Sequence, residues 1–169
     1  ERGVLFGTGK LLRELVLGRD QVSVSSDLKI TTAPLTPIRG HQLGYRPKTN
    51  SYDAWTVKMW DDYIRDLAIF GCNSIEIIPP RSDDDADSPH FPVPPMQMMV
   101  EMSSISDKYG MDVWIWYPAM EPDYAKPETI EREVAEWGKV FKQLPRIDAI
   151  FVPSGDPVHT RPRNLMKLL

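Results

Sequence analysis

Side chains able to do chemistry gather in four short stretches of this chain, each directly after an apolar run. The last stretch reads Phe151-Val152-Pro153-Ser154-Gly155-Asp156-Pro157-Val158-His159-Thr160-Arg161. Asp156 follows a glycine just beyond the apolar run, a position from which a carboxyl group can be aimed at a bond as a general acid, with His159 as its neighbour. The structural alternative is an Asx turn or helix cap before Pro157.

The first stretch supplies Arg39, His41, Tyr45, Arg46 and Trp55. This set suits sugar hydroxyls or a carboxylate through charge-assisted hydrogen bonds, and a ring stacked on an indole. Arg39 has a second reading as a structural ion-pair partner. The second stretch, Arg81-Ser82-Asp83-Asp84-Asp85-Ala86-Asp87-Ser88-Pro89-His90-Phe91, offers Asp83 and Asp84 as hydrogen-bonding groups for a substrate. Its alternating acids lack the glycine and the distant glutamate of a calcium loop, and a solvated or capping loop is the alternative.

The third, Trp114-Ile115-Trp116-Tyr117-Pro118-Ala119-Met120-Glu121, alternates so that Trp114 and Trp116 face one way and Ile115 and Tyr117 the other. Trp116, Tyr117 and Glu121 would make an aromatic wall with a carboxylate, suited to a pyranose, whereas Trp114 serves core filling equally well. Three histidines in three separate loops, with no His-x-x-x-His spacing and no cysteine pair, give no metal site. No cofactor is implied either.

The elements that position these stretches repeat. From Ile38 onward a short apolar strand recurs after roughly 35 to 40 residues, each time followed by a helix, which is the signature of an α/β fold. The strands are expected at Ile38 to Tyr45, Ser74 to Ile78, Asp112 to Tyr117 and Ile147 to Val152. The helices run through Val57 to Ala68 with Gly71 as stop, Met96 to Tyr109 with Gly110 as stop, Ile130 to Leu144, and from Arg163 onward.

After the first strand, Arg39-Gly40-His41-Gln42-Leu43-Gly44-Tyr45-Arg46-Pro47 is rich in side chains and resembles no phosphate cradle. Polar, proline-bearing loops after every strand favour a barrel that builds its site from many strand ends. The expected fold is therefore the first four β/α units of a (β/α)8 TIM-type barrel over residues 34–169. Residues 1–33 read as the end of a small N-terminal α/β domain and its linker: a helix from Val4 to Val16 halted by Gly18, then small strands at Val22 to Val24 and Leu28 to Ile30. Leu169 falls inside a helix, so the chain reads as a fragment whose remaining barrel half lies downstream.

The 169 residues are 41% hydrophobic and 26% charged, which is ordinary for a globular domain and argues against disorder. A net charge of −4 and a pI near 5.4 exclude the broad basic face that nucleic acid or an anionic membrane surface would select. No apolar run approaches the roughly 20 residues of a membrane span. Cys72, the single cysteine, reads as a buried bystander.

At the strand ends the chain resembles barrel glycoside hydrolases, chiefly the α-glucuronidases of family 67, with hexosaminidases as a second likeness. Arg2-Gly3-Val4-Leu5-Phe6-Gly7-Thr8-Gly9-Lys10-Leu11-Leu12-Arg13-Glu14-Leu15 resembles the end of the small domain before such barrels, and Pro37-Ile38-Arg39-Gly40 resembles the start of the hexosaminidase barrel. Ser154-Gly155-Asp156 is similar to the hexosaminidase Gly-Gly-Asp-Glu, with Pro157 in place of the glutamate.

The resemblance implies hydrolysis of a poly- or oligosaccharide by two carboxyl groups, with Asp156 as the acid. It places the partner base on a later strand, so that these residues alone bind weakly and do not turn over. It also favours a secreted or periplasmic location. Two alternatives stand beside it: a non-catalytic carbohydrate-binding barrel, favoured by Pro157, and a different barrel hydrolase or isomerase with substrate held by Arg39 and His41.

Overall fold

The structure, a computed structural model, describes residues 2–43, 54–77, 92–119, 121, 123–152 and 161–167. Its first element is the helix α1, Arg2–Glu14. The helix stops short of the expected Val16 because Val16–Leu17 forms a strand, β1, paired antiparallel with β2, Val22–Ser23. The β-branched Val16 suits extended backbone. The turn closes where Gly18 N–H donates to Gln21 O at 2.8 Å. Leu28 and Ile30, expected in a strand, lie outside any ladder; Ser25, Ser26 and Asp27 turn the chain before them, with Leu28 N–H donating to Ser25 O at 3.3 Å.

Four parallel strands follow, β3 (Gly40–Gln42), β4 (Ser74–Ile77), β5 (Asp112–Trp116) and β6 (Ala149–Phe151), in the spatial order β3-β4-β5-β6. Between them run α2 (Val57–Ile69), α3 (Pro95–Lys108) and α4 (Pro127–Phe141), and α5 (Pro162–Leu165) comes last. Local chemistry sets these boundaries. Thr56 caps α2, its Oγ1 accepting from Met59 N–H at 3.3 Å. Pro95 and Pro127 open α3 and α4 at the position where a missing N–H costs nothing. Gly71 (φ +101°) and Gly110 (φ +66°) then adopt the left-handed backbone beyond the ends of α2 and α3.

α2, α3 and α4 share one face of the sheet. Ile75, Ile77, Val113, Ile115 and Tyr117 are buried in one core with Trp60 and Ile64 of α2, Met98 and Met102 of α3, and Trp137 of α4. Burial of each such side chain is worth roughly 1.5–3 kcal/mol, which is the main force holding helices to sheet. Met99 of α3 is buried in the same core.

Period-two alternation sends the intervening residues to the opposite face. Register sets Gln42, Glu76, Trp114 and Ala149 side by side in one row across the strands, and Trp116 beside Phe151 in a row nearer the strands' C-terminal ends. None of these six is buried, and Phe151 is 53% exposed.

At the N-terminal ends of the strands lies an ionic lattice. Asp112 accepts from Arg2 and, at 2.7 Å, from Arg146 Nη2, while Asp148 accepts from Arg146 Nε at 2.7 Å and from Val113 N–H at 2.8 Å. Arg2 thereby ties α1 to β5. No helix among the described residues is long and apolar enough to cross a membrane.

Candidate functional site

Two surfaces compete for attention. The larger, a cleft of about 840 Å3, lies between α1 and residues 28–34 at the N-terminal side of the sheet and includes Lys10, Arg13 and Arg39. Its cations are engaged within the fold. Lys10 pairs with Glu14 at 2.7 Å, and Arg13 donates to Ile69 O at 3.2 Å. Arg39 Nε donates to Gly71 O at 2.8 Å, and its Nη1 to Thr36 O at 2.9 Å, with the guanidinium 5.3 Å from the Phe6 ring.

The smaller cavity, of about 160 Å3, opens on the helix-free face of the sheet and is lined by Gly40, Gln42, Ser74, Glu76 and Trp114 among others. Gln42 Nε2 donates to Glu76 Oε1 at 3.0 Å. Gln42 is the one hydrogen-bond partner of the Glu76 carboxylate among the described residues. Partial burial pushes the Glu76 carboxyl above its ordinary range, and the Gln42 amide offsets only part of that. The space exists because residue 40 is glycine: a Cβ there would stand 2.9 Å from Ser74 Oγ. A carboxyl beside an indole and an amide, reachable from solvent, can bind hydroxyl groups or exchange a proton with them.

The residues singled out from sequence separate into four groups. Arg39 stands before β3, at the N-terminal end of the sheet, not after a strand; carbonyl oxygens of the linker and of the turn after α2 hold it there. His41 and Tyr117 face the helices. His41 Nε2 lies 2.9 Å from Tyr63 Oη, and burial lowers its pKa below the ordinary value, favouring the neutral ring. Tyr117 is fully buried, its ring 5.0 Å from that of Trp137 and 5.3 Å from that of Phe141. Trp55 packs with Trp60 and Tyr63 at the start of α2.

Trp116 stands on the helix-free face, one row beyond Trp114. Glu121 lies beyond the C-terminal end of β5 and pairs with Arg132 at 2.8 Å. Tyr45, Asp83, Asp84, Asp156 and His159, together with Arg46 and His90, lie outside the described residues.

Glu76 and Gln42 were not singled out from sequence, although a signal was present. A lone carboxylate in Ser74-Ile75-Glu76-Ile77-Ile78 breaks an otherwise apolar strand. A second overlooked carboxylate is Glu133 on α4, fully buried, which accepts from Tyr124 Oη at 3.1 Å and from Trp137 Nε1 at 3.2 Å. Tyr124 Oη in turn accepts from Glu121 N–H at 3.0 Å, which fixes the segment after β5. Cys72 is half-buried, and burial raises its thiol pKa.

Among the described residues no cluster of histidine, cysteine or carboxylate side chains has the arrangement of a metal site. No family model matches the chain, and no curated protein matches it.

Proposed function

We propose that the chain forms the first four β/α units of a (β/α)8 barrel that hydrolyses glycosidic bonds in a poly- or oligosaccharide, with the site at the C-terminal ends of the strands. One observation carries this reading: four parallel strands in sequential order keep their helices on one face and leave Gln42, Glu76, Trp114 and Trp116 on the other. A doubly wound sheet would instead reverse its strand order and cover both faces with helices. An inner face bearing indole, carboxyl and amide groups matches the mixed apolar and polar lining that sugar rings require.

In this reading Asp156 donates the proton to the leaving oxygen, Trp116 and Glu121 border the sugar, and the second carboxyl group comes from a later strand. Asp83, Asp84, Tyr45 and His159 extend the rim from the loops. Arg39 and His41 make contacts within the fold, which gives less support to a barrel hydrolase or isomerase that holds substrate through them. The non-catalytic carbohydrate-binding barrel keeps one observation in its favour, Pro157 after Asp156.

Turnover of aryl α-glucuronides and aryl N-acetyl-β-hexosaminides by the full-length protein separates the two. Hydrolysis that falls by about 100-fold or more in Asp156→Asn, the scale of a lost general acid, supports the hydrolase. Binding without hydrolysis supports the non-catalytic barrel. Neither binding nor hydrolysis of any glycoside removes both.

A further inference from the structure

We propose that Glu76, Gln42 and Trp114 form a subsite for a sugar ring in one row of the sheet, with the ring against Trp114 and its hydroxyl groups shared between the Glu76 carboxyl and the Gln42 amide. The inference rests on the carbohydrate reading above and adds a place and a contact set to it.

Three features on different strands converge there. Gln42 on β3, Glu76 on β4 and Trp114 on β5 are direct register partners, so the three side chains share one row on the helix-free face. Glu76 and Gln42 hold each other at 3.0 Å, which orients a carboxyl and an amide toward the same space and lowers the cost of fixing them when a ligand arrives. The carboxyl has spare acceptor sites beyond the one Gln42 uses, and the Gln42 carbonyl accepts as well. Together they match the paired donors and acceptors of neighbouring sugar hydroxyls.

Charge narrows the ligand. Glu76 has no cationic partner among the described residues, so an anionic sugar would set its own carboxylate against another, whereas a neutral ring would not. The subsite therefore suits a neutral ring, even where the bond cleaved belongs to an acidic one.

Ligand-observed NMR titration of the full-length protein with the methyl glycosides of glucose, xylose, N-acetylglucosamine and glucuronic acid tests this. A neutral glycoside is expected to bind, and Glu76→Ala and Gln42→Ala are each expected to weaken it. The loss for Glu76→Ala should reach about tenfold or more, the equivalent of a hydrogen bond to a charged group, and Glu76→Gln should recover part of it. Urea unfolding of each variant identifies any that has lost its fold, in which case Gln42→Ala and Glu76→Gln carry the comparison. Binding that none of these variants changes overturns the subsite and leaves the carbohydrate reading in place. Absence of binding to every glycoside overturns both.

Discussion

Single residues carry unequal burdens in this fold, and Glu133 carries a structural one. Its carboxylate is fully buried on α4 and serves both the Tyr124 hydroxyl and the Trp137 indole N–H. Glu133→Leu is expected to destabilise the protein by about 2–4 kcal/mol, since two buried donors lose their acceptor. A lower urea midpoint at unchanged slope is the measurement that checks it. Because Tyr124 also receives Glu121 N–H at 3.0 Å, the same substitution should loosen the segment beyond β5, visible as faster hydrogen exchange at Glu121. No residue pattern announced this role. A glutamate four positions from a tryptophan on an amphipathic helix has the look of any solvated helix face until the tyrosine from the preceding turn is placed over it.

Elements show the opposite balance, with glycine marking both free and forbidden positions. A Cβ on Gly7 would meet nothing within 4 Å, whereas one on Gly9 would stand 1.8 Å from Ile69 O, where α1 crosses the end of α2. Gly7→Ala should therefore stabilise by up to about 1 kcal/mol through helix propensity. Gly9→Ala should lose that gain and cost about 1–3 kcal/mol through the clash, measured again as a shift of the urea midpoint. Helix existence was legible because the signals are local: apolar spacing, an N-terminal Pro95 or Pro127, and a left-handed Gly71 or Gly110 act within one turn. The strands of the parallel sheet were legible too, to within three residues at each end. Facing was harder. Arg39 belongs with the side chains after the first strand only if that strand lies upstream of it; whether the strand begins at Ile38 or, as observed, at Gly40, Arg39 stands at its start, at the N-terminal end of the sheet. His41 and Tyr117 fall on the helix side because alternation fixes two faces without saying which one the helices cover.

For the whole molecule, stability against pH brings these groups into a single curve. His41 is held below its ordinary value of 6.5 by burial, so the unfolded chain takes up a proton first. Its contribution is complete above 6.5 and is lost as pH falls through the folded value. Asp148 behaves likewise at lower pH. Burial would raise it, but hydrogen bonds from Arg146 and the Val113 N–H, with the charges of Arg146 and Arg2, leave it below its ordinary 3.8, so that contribution disappears only under strong acid. Glu76 runs the other way: burial raises it above 4.5, so its contribution is complete below 4.5 and is lost as pH rises through the folded value. Ionisation of Glu76 thus costs stability. Glu76→Gln should be at least as stable as the parent protein at pH 7, and its advantage should shrink on acidification until it vanishes below about pH 4.5, the range where an unfolded glutamate itself protonates. Urea midpoints of the two proteins between pH 7 and pH 4 provide the comparison, in salt sufficient to screen the exposed ion pairs. A constant offset between the two curves would mean that Glu76 contributes packing alone, and the stability cost argued for it would not exist.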